Sequence, residues 1–192
     1  MAAGIGNSGL VGKRVRSILV EGPDCSGKST VVERLKNMLR WDATSLHHRE
    51  GDQFQRYLRE YALAENVVFD RGHFSEEVYS RLWRGGSPFS PSEREILNAI
   101  CTQSMIIIFA CPSLELMKQR YHQRPFEQQI KLVELEESRT LFCATIEQIP
   151  HILYTSQNYE ELDTLLRQVQ QMIPAQKVIG YEIVRTAGRT SV

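Results

Sequence analysis

Residues Ser17 to Leu35, SILVEGPDCSGKSTVVERL, constrain the backbone more than any other stretch of the chain. Ile18, Leu19 and Val20 form an apolar run that breaks at once into a loop holding Gly22, Pro23, Asp24 and Gly27. Such a run has the form of a strand buried on both faces. From Lys28 to about Arg40, Val31, Val32, Leu35, Met38 and Leu39 recur on one face of a helix. A strand that passes through a glycine-bearing turn into a helix points several backbone N–H groups at one spot. The helix dipole adds partial positive charge there, so the spot suits an anion, a phosphate above all.

The remaining sequence supplies partners for that strand. A weak strand candidate covers Ser45 to Arg49, and Phe54, Tyr57, Leu58 and Tyr61 define a helix over Gln53 to Ala64. Asn66 to Phe69 is a short apolar run that stops at Asp70, as a buried parallel strand with a polar end does. Helices are predicted over His73 to Trp83, Ser92 to Ile100, Ser113 to Gln123, Gln128 to about Gln148 and Tyr159 to Met172, with strands at Met105 to Ala110 and Ile152 to Tyr154. Strand and helix alternate throughout. The pattern predicts an α/β protein with about five parallel strands covered by helices on both faces, and the phosphate-type loop GPDCSGKS after the first strand makes it of the P-loop NTPase fold.

At 192 residues the chain suits one core. Residues 1–13 are small and polar, a disordered lead-in. Residues 14–175 form a single domain with a lid near 118–130, and 176–192 form a tail in which Lys177 to Arg185 can add an edge strand. Lysine plus arginine total 23, as do aspartate plus glutamate. A net charge of zero argues against a broad basic face for nucleic acid, so a small-molecule partner is favoured. The four cysteines lie far apart with no C-x-x-C pair, which indicates reduced thiols rather than a zinc site or disulfide framework. No apolar run approaches the ~20 residues of a membrane span, and no signal-peptide core opens the chain. Cytoplasmic residence is expected, with no membrane partner.

GPDCSGKS satisfies G-x-x-x-x-G-K-[ST], whose backbone amides cradle nucleotide phosphates. Gly22, Pro23, Asp24, Cys25, Ser26, Gly27, Lys28, Ser29 and Thr30 are the candidate ATP-binding residues, with Lys28 on the terminal phosphates and Ser29 on Mg2+. Asp70, at the end of another core strand, is the second candidate metal residue. A GTPase would carry an N-K-x-D base-reading segment, which is absent, and ATP-driven motors are usually larger. The small size and the arginines that follow Met105 to Ala110 favour a kinase.

The chain resembles the thymidylate kinase family of nucleoside monophosphate kinases. The loop EGPDCSGKST shares its E-G-x-D opening, VVFDRGHFSEEVYS looks like its D-R motif, and HREGD is similar to its R-E-P-G segment. ELMKQRYHQRP looks like its lid entry. With under twenty residues between HREGD and Val67, the acceptor region is short, in the manner of phage-type nucleotide kinases with a D-R-x-H-x-S-E motif. The resemblance implies transfer of a phosphoryl group from ATP to a deoxynucleoside monophosphate, thymidylate or a base-modified relative, and by analogy a homodimer. Arg71 would clamp the acceptor phosphate with Arg49 opposite. Arg120 and Arg124, on one face if 119–123 is helical, would close over ATP. Asp24 would meet the sugar 3'-hydroxyl, and His73 and Phe74 are further substrate candidates.

Two other readings stay open. A kinase with a hydroxyl acceptor, on a deoxynucleoside or a modified base in DNA, would use Glu50 as general base. A regulatory module would bind ATP without turning it over.

Overall fold

A computed structural model describes residues 15–125, 131–147 and 149–173. The lead-in at 1–13, the core of the lid and the edge strand expected at 177–185 lie outside the described residues.

β1 (Ser17–Glu21) is buried along its whole length and runs down the middle of a five-stranded, all-parallel sheet. It is flanked by β3 (Val67–Asp70) on one side and β4 (Met105–Ala110) on the other, with β2 (Asp42–Ser45) and β5 (Ile152–Tyr154) at the edges, in the order β2-β3-β1-β4-β5. This is the P-loop α/β fold that the alternation predicts. Side chains of β1 alternate between faces. Ile18 and Val20 join a core with Val31, Val32 and Leu35 of α1 (Lys28–Leu39) and Leu162, Leu165 and Val169 of α7 (Tyr159–Met172). Leu19 points the other way, into a core built with α2 (Gln53–Leu63), α3 (His73–Trp83), α4 (Pro91–Ser104) and α6 (Leu132–Ile146). Complete burial of such a side chain contributes about 1.5–3 kcal/mol, so the strand leading into the glycine loop is anchored from both faces.

The weak strand candidate needs correction. It lies at Asp42–Ser45, three residues earlier than Ser45 to Arg49, and its sequence DATS is mostly exposed. A polar edge strand with one neighbour buries little, so it leaves no apolar signature. Residues 47–49, expected as strand, are loop.

The register Val20↔Asp70 sets the carboxyl ends of β1 and β3 side by side. The chain leaves β1 toward β2 and β3, then crosses to β4 and β5 on the other side. Ligands in open parallel sheets collect at the carboxyl ends of the strands where the winding direction switches, and here that point is the end of β1.

Candidate active site

The loop after β1 is shaped by two close approaches. Gly22 has φ 141°, and a Cβ there would fall 2.2 Å from the carbonyl oxygen of Ala110 in β4. Gly27 has φ 90°, and a Cβ would meet the hydroxyl of Ser156 at 2.7 Å. Neither position admits an ordinary side chain without a backbone shift. The loop then feeds α1 at Lys28, whose Nζ donates to the carbonyl of Pro23 at 2.6 Å. Burial pulls the Lys28 ammonium down to about 8, and Arg71 adds to the effect against the attraction of Asp24, Asp70 and Glu21. A desolvated cation beside a bed of amides is a strong anion trap.

A cavity of about 430 Å³ opens over this loop. Cys25, Ser26, Gly27, Lys28, Ser29 and Thr30 form its floor, and Arg120 and Arg124 border it. α5 (Leu114–His122) ends before Arg124, so the two arginines do not share a continuous helix as expected, yet both reach the cavity. Arg120 is held in place: its Nη2 donates to the carbonyl and the hydroxyl of Ser156, each at 2.8 Å, and Nη1 to the carbonyl of Cys25 at 3.4 Å. The cavity lining also includes Ser156, Gln157 and Asn158 between β5 and α7 and Tyr159 at the start of α7, which sequence reasoning missed. Their signal was available: YTSQN leaves a core strand and caps a helix through Asn158. Pro23 and Asp24 lie outside this cavity; Asp24 turns to the other side of the loop.

On that side Asp24 lines a second cavity of about 320 Å³ with His47, His48, Arg71, Glu76, Tyr79 and Trp83. The Nη2 of Arg71 donates to Asp24 Oδ1 at 2.5 Å, and the Tyr79 hydroxyl donates to Oδ2 at 3.1 Å. The guanidinium also lies 4.9 Å from the centre of the Tyr79 ring. Burial alone would raise the Asp24 carboxyl, but Arg71 and Lys28 together hold it below its ordinary range. Arg71 adopts φ 70°, a left-handed conformation that a bulky residue rarely takes, directly after β3. Such strain collects at functional sites, and here it accompanies the contact with the loop.

A third hollow, about 420 Å³, adjoins the second through His48, Glu76 and Arg84 and includes Glu50. Glu76 Oε1 accepts from His48 Nδ1 at 2.8 Å, Arg84 Nη2 at 2.5 Å and Ser80 Oγ at 3.1 Å. It therefore fixes the wall between the two hollows. Arg49 is exposed and lines neither.

His73 and Phe74 are corrections to the expected substrate contacts. His73 is fully buried; its Nδ1 is 3.0 Å from the Tyr61 hydroxyl and its Nε2 2.9 Å from Asn98 Oδ1. Phe74 is 2% exposed. Phe74 belongs to the core beneath α3 with the His73 ring against it, and neither lines any of the three cavities. Arg71 pairs with Asp24, whereas Arg84 and His48 take Glu76, and Arg81 and Arg94 take Glu77.

Glu21, at the end of β1, enters the sequence reading only as the first residue of the E-G-x-D opening, with no role assigned. It is wholly buried, accepts from the hydroxyl and the backbone N–H of Ser75, and is pushed up to about 7 by burial against those hydrogen bonds.

The residues fit a magnesium ion. Asp70 Oδ1 is buried and has no hydrogen-bond partner among the described residues, and Ser29 is open on the floor of the nucleotide cavity. A buried carboxylate oxygen without a partner is costly unless a cation or its water shell meets it. Magnesium usually takes one or two protein oxygens plus phosphates and waters, which this pair supplies.

No family model and no curated protein matches the sequence. Solved structures match the fold. The YorR protein of Bacillus subtilis, in complex with phosphorylated GDP, superposes with a TM-score of 0.69 at 19% identity, over 81% of this chain and 94% of that one. Deoxyadenosine kinase from M. mycoides, with products dCMP and dCDP, gives 0.58 at 13% identity over 81% and 99%. Shikimate kinase from Acinetobacter baumannii, with shikimate, gives 0.55 at 16% identity over 88% and 98%. The chain thus has the fold of P-loop kinases. Among the described residues no helix is long and apolar enough to cross a membrane.

Proposed function

We propose that the chain is a phosphotransferase that passes the terminal phosphoryl group of ATP to a deoxynucleoside monophosphate. One observation carries the reading. The Asp24–Arg71 pair faces an acceptor cavity on one side of the loop, while Lys28 and the nucleotide cavity occupy the other. Donor and acceptor phosphates would meet across a single turn of backbone.

Lys28 and the loop amides bind and orient the donor phosphates, and Arg120 and Arg124 neutralise charge spread over the moving group. Arg71, pre-set by Asp24 and Tyr79, receives the acceptor phosphate through a planar guanidinium. Such a phosphate is already ionised and requires no general base. Ser29 and Asp70 would hold magnesium, which would supply positive charge to neutralise the donor phosphates. The likeness to a protein bound to phosphorylated GDP and to a deoxyadenosine kinase supports an acceptor of the nucleoside or nucleotide class.

A second reading, transfer to a hydroxyl, is favoured by Glu50 on the rim of the adjoining hollow and by the likeness to a deoxyadenosine kinase, whose acceptor is a nucleoside hydroxyl. A panel of deoxynucleoside monophosphates, deoxynucleosides and DNA, each with ATP and magnesium, separates the two. Diphosphate products are expected. Transfer to nucleoside or DNA hydroxyls alone, with ADP released but no deoxynucleoside monophosphate converted to its diphosphate, would reject the monophosphate acceptor.

A further inference from the structure

The acceptor cavity is walled by one face of α3, on which Glu76, Tyr79 and Trp83 recur at helical spacing, and by Arg84 at the helix C-cap. Three groups along it form a column. The Arg71 guanidinium sits 4.9 Å from the Tyr79 ring centre, and the Tyr79 ring stacks on Trp83 with centroids 4.7 Å apart and planes inclined by 19°. At its inner end the column meets the phosphate-binding loop through Asp24. Its outer end is Trp83, 48% exposed although stacked, whereas Tyr79 is 6% exposed.

Among the described residues lining this cavity, Leu46 and Tyr79 are buried and Trp83 is the large apolar side chain left open to it. The rest of the lining is polar: His47, His48, Glu76 and Arg84. A bare indole ring with a guanidinium two rings away, and hydrogen-bonding groups around both, matches the outline of a nucleotide: phosphate, sugar, flat base.

We propose that Trp83 is the platform on which the base of the acceptor stacks, a specificity-determining residue that restricts the acceptor to phosphates carrying a planar heteroaromatic ring. This rests on the phosphotransferase reading and deepens it. Stacking on an aromatic face tolerates every base, so Trp83 selects for the presence of a base. Choice among bases falls to the polar groups around it.

The test compares the wild-type chain with Trp83→Phe and Trp83→Ala on the four deoxynucleoside monophosphates and on 2-deoxyribose 5-phosphate. Loss of a base–aromatic stack of about 1–3 kcal/mol corresponds to roughly 5- to 150-fold. Trp83→Ala is expected to raise KM for the monophosphates by that factor with KM for ATP unchanged, Trp83→Phe to stay within a few-fold, and deoxyribose phosphate to be a poor acceptor for the wild type. Unchanged monophosphate KM values in Trp83→Ala, or equal use of deoxyribose phosphate, would overturn the proposal. Intrinsic fluorescence gives a readout independent of turnover, because the chain's other tryptophan, Trp41, is buried. Each monophosphate is added to wild type and to Trp83→Phe. If the wild type transfers no phosphoryl group, the phosphotransferase reading fails and fluorescence alone judges the platform. Quenching confined to the wild type supports it, and no quenching by any of the four overturns it.

Discussion

Arg71 and Asp24 stand 47 positions apart in the chain and meet at 2.5 Å, joining the end of β3 to the phosphate-binding loop. The tyrosine hydroxyl of Tyr79 closes on the same carboxylate, so the guanidinium is fixed before any ligand arrives. Fixed cations at a reaction centre need no reorganisation when charge develops.

Replacing Arg71 by Ala should lower kcat/KM for the phosphate acceptor by about 10²–10³-fold. Arg71→Lys, which keeps the charge but loses the planar fork and the contact with Tyr79, should recover only part of that loss. Steady-state kinetics with acceptor and ATP varied in turn provide the check. Arg71→Ala with wild-type acceptor kinetics would show that the pair merely ties two loops together.

Lys28 separates stability from activity. Its ammonium is buried and drawn down to about 8, below its ordinary 10.5, so the charged form is disfavoured in the folded chain. Stability from this group is therefore reduced below pH 8 and recovers as pH rises toward 10.5. Lys28→Met should abolish transfer and at pH 7 should leave the ligand-free protein equally or more stable, by up to about 3 kcal/mol. Thermal denaturation beside an activity assay tests this; a large fall in Tm would mean that the lysine supports the loop instead of straining it.

Much of this centre was legible in the sequence. A strand, a glycine-bearing turn and a helix leave few arrangements, and the apolar run ending in Asp70 was readable because its side chains had to be buried on both faces. The polar strand β2 carried no such pattern. His73 and Phe74 misled because they follow the Asp70–Arg71 pair with only Gly72 between, yet the first turn of α3 points them inward and gives the cavity to Glu76, Tyr79 and Trp83. That stripe has helical spacing and was there to be read. The contribution of Ser156 depends instead on where β5 lies beside β4, which only the sheet order reveals.

Two buried groups should leave opposite marks on stability. His73 is drawn down to about 4 by burial, so its contribution is present above pH 6.5 and is lost as pH falls from 6.5 toward 4. Glu21 is raised to about 7, so its protonated form stabilises the fold below its ordinary 4.5, and that contribution disappears as pH rises from 4.5 toward 7. Each slope approaches about 1.4 kcal/mol per pH unit, and they oppose across pH 4.5–6.5. Urea unfolding across that window should show Glu21→Gln gaining stability with pH relative to wild type, and His73→Gln losing it. Parallel curves for the three proteins would mean that neither group keeps its shifted pKa.

The cysteines give a last prediction, away from the nucleotide. Cys111 Sγ, just beyond β4, lies 3.5 Å from Cys143 Sγ on α6, and the two are free thiols. The hydrogen bond between them draws the Cys143 thiol down, to about 6, and pushes Cys111 up, while Arg139 favours the thiolate of both. Cys25 is raised chiefly by burial, and Cys101 is fully buried. Because the thiolate is the nucleophile, a limiting dose of iodoacetamide at pH 7 should label Cys143 before the other three. Peptide mapping after brief labelling reads the order directly. First labelling at Cys25 would mean that the loop opens to solvent more readily than its packing against Met117 and Leu135 allows.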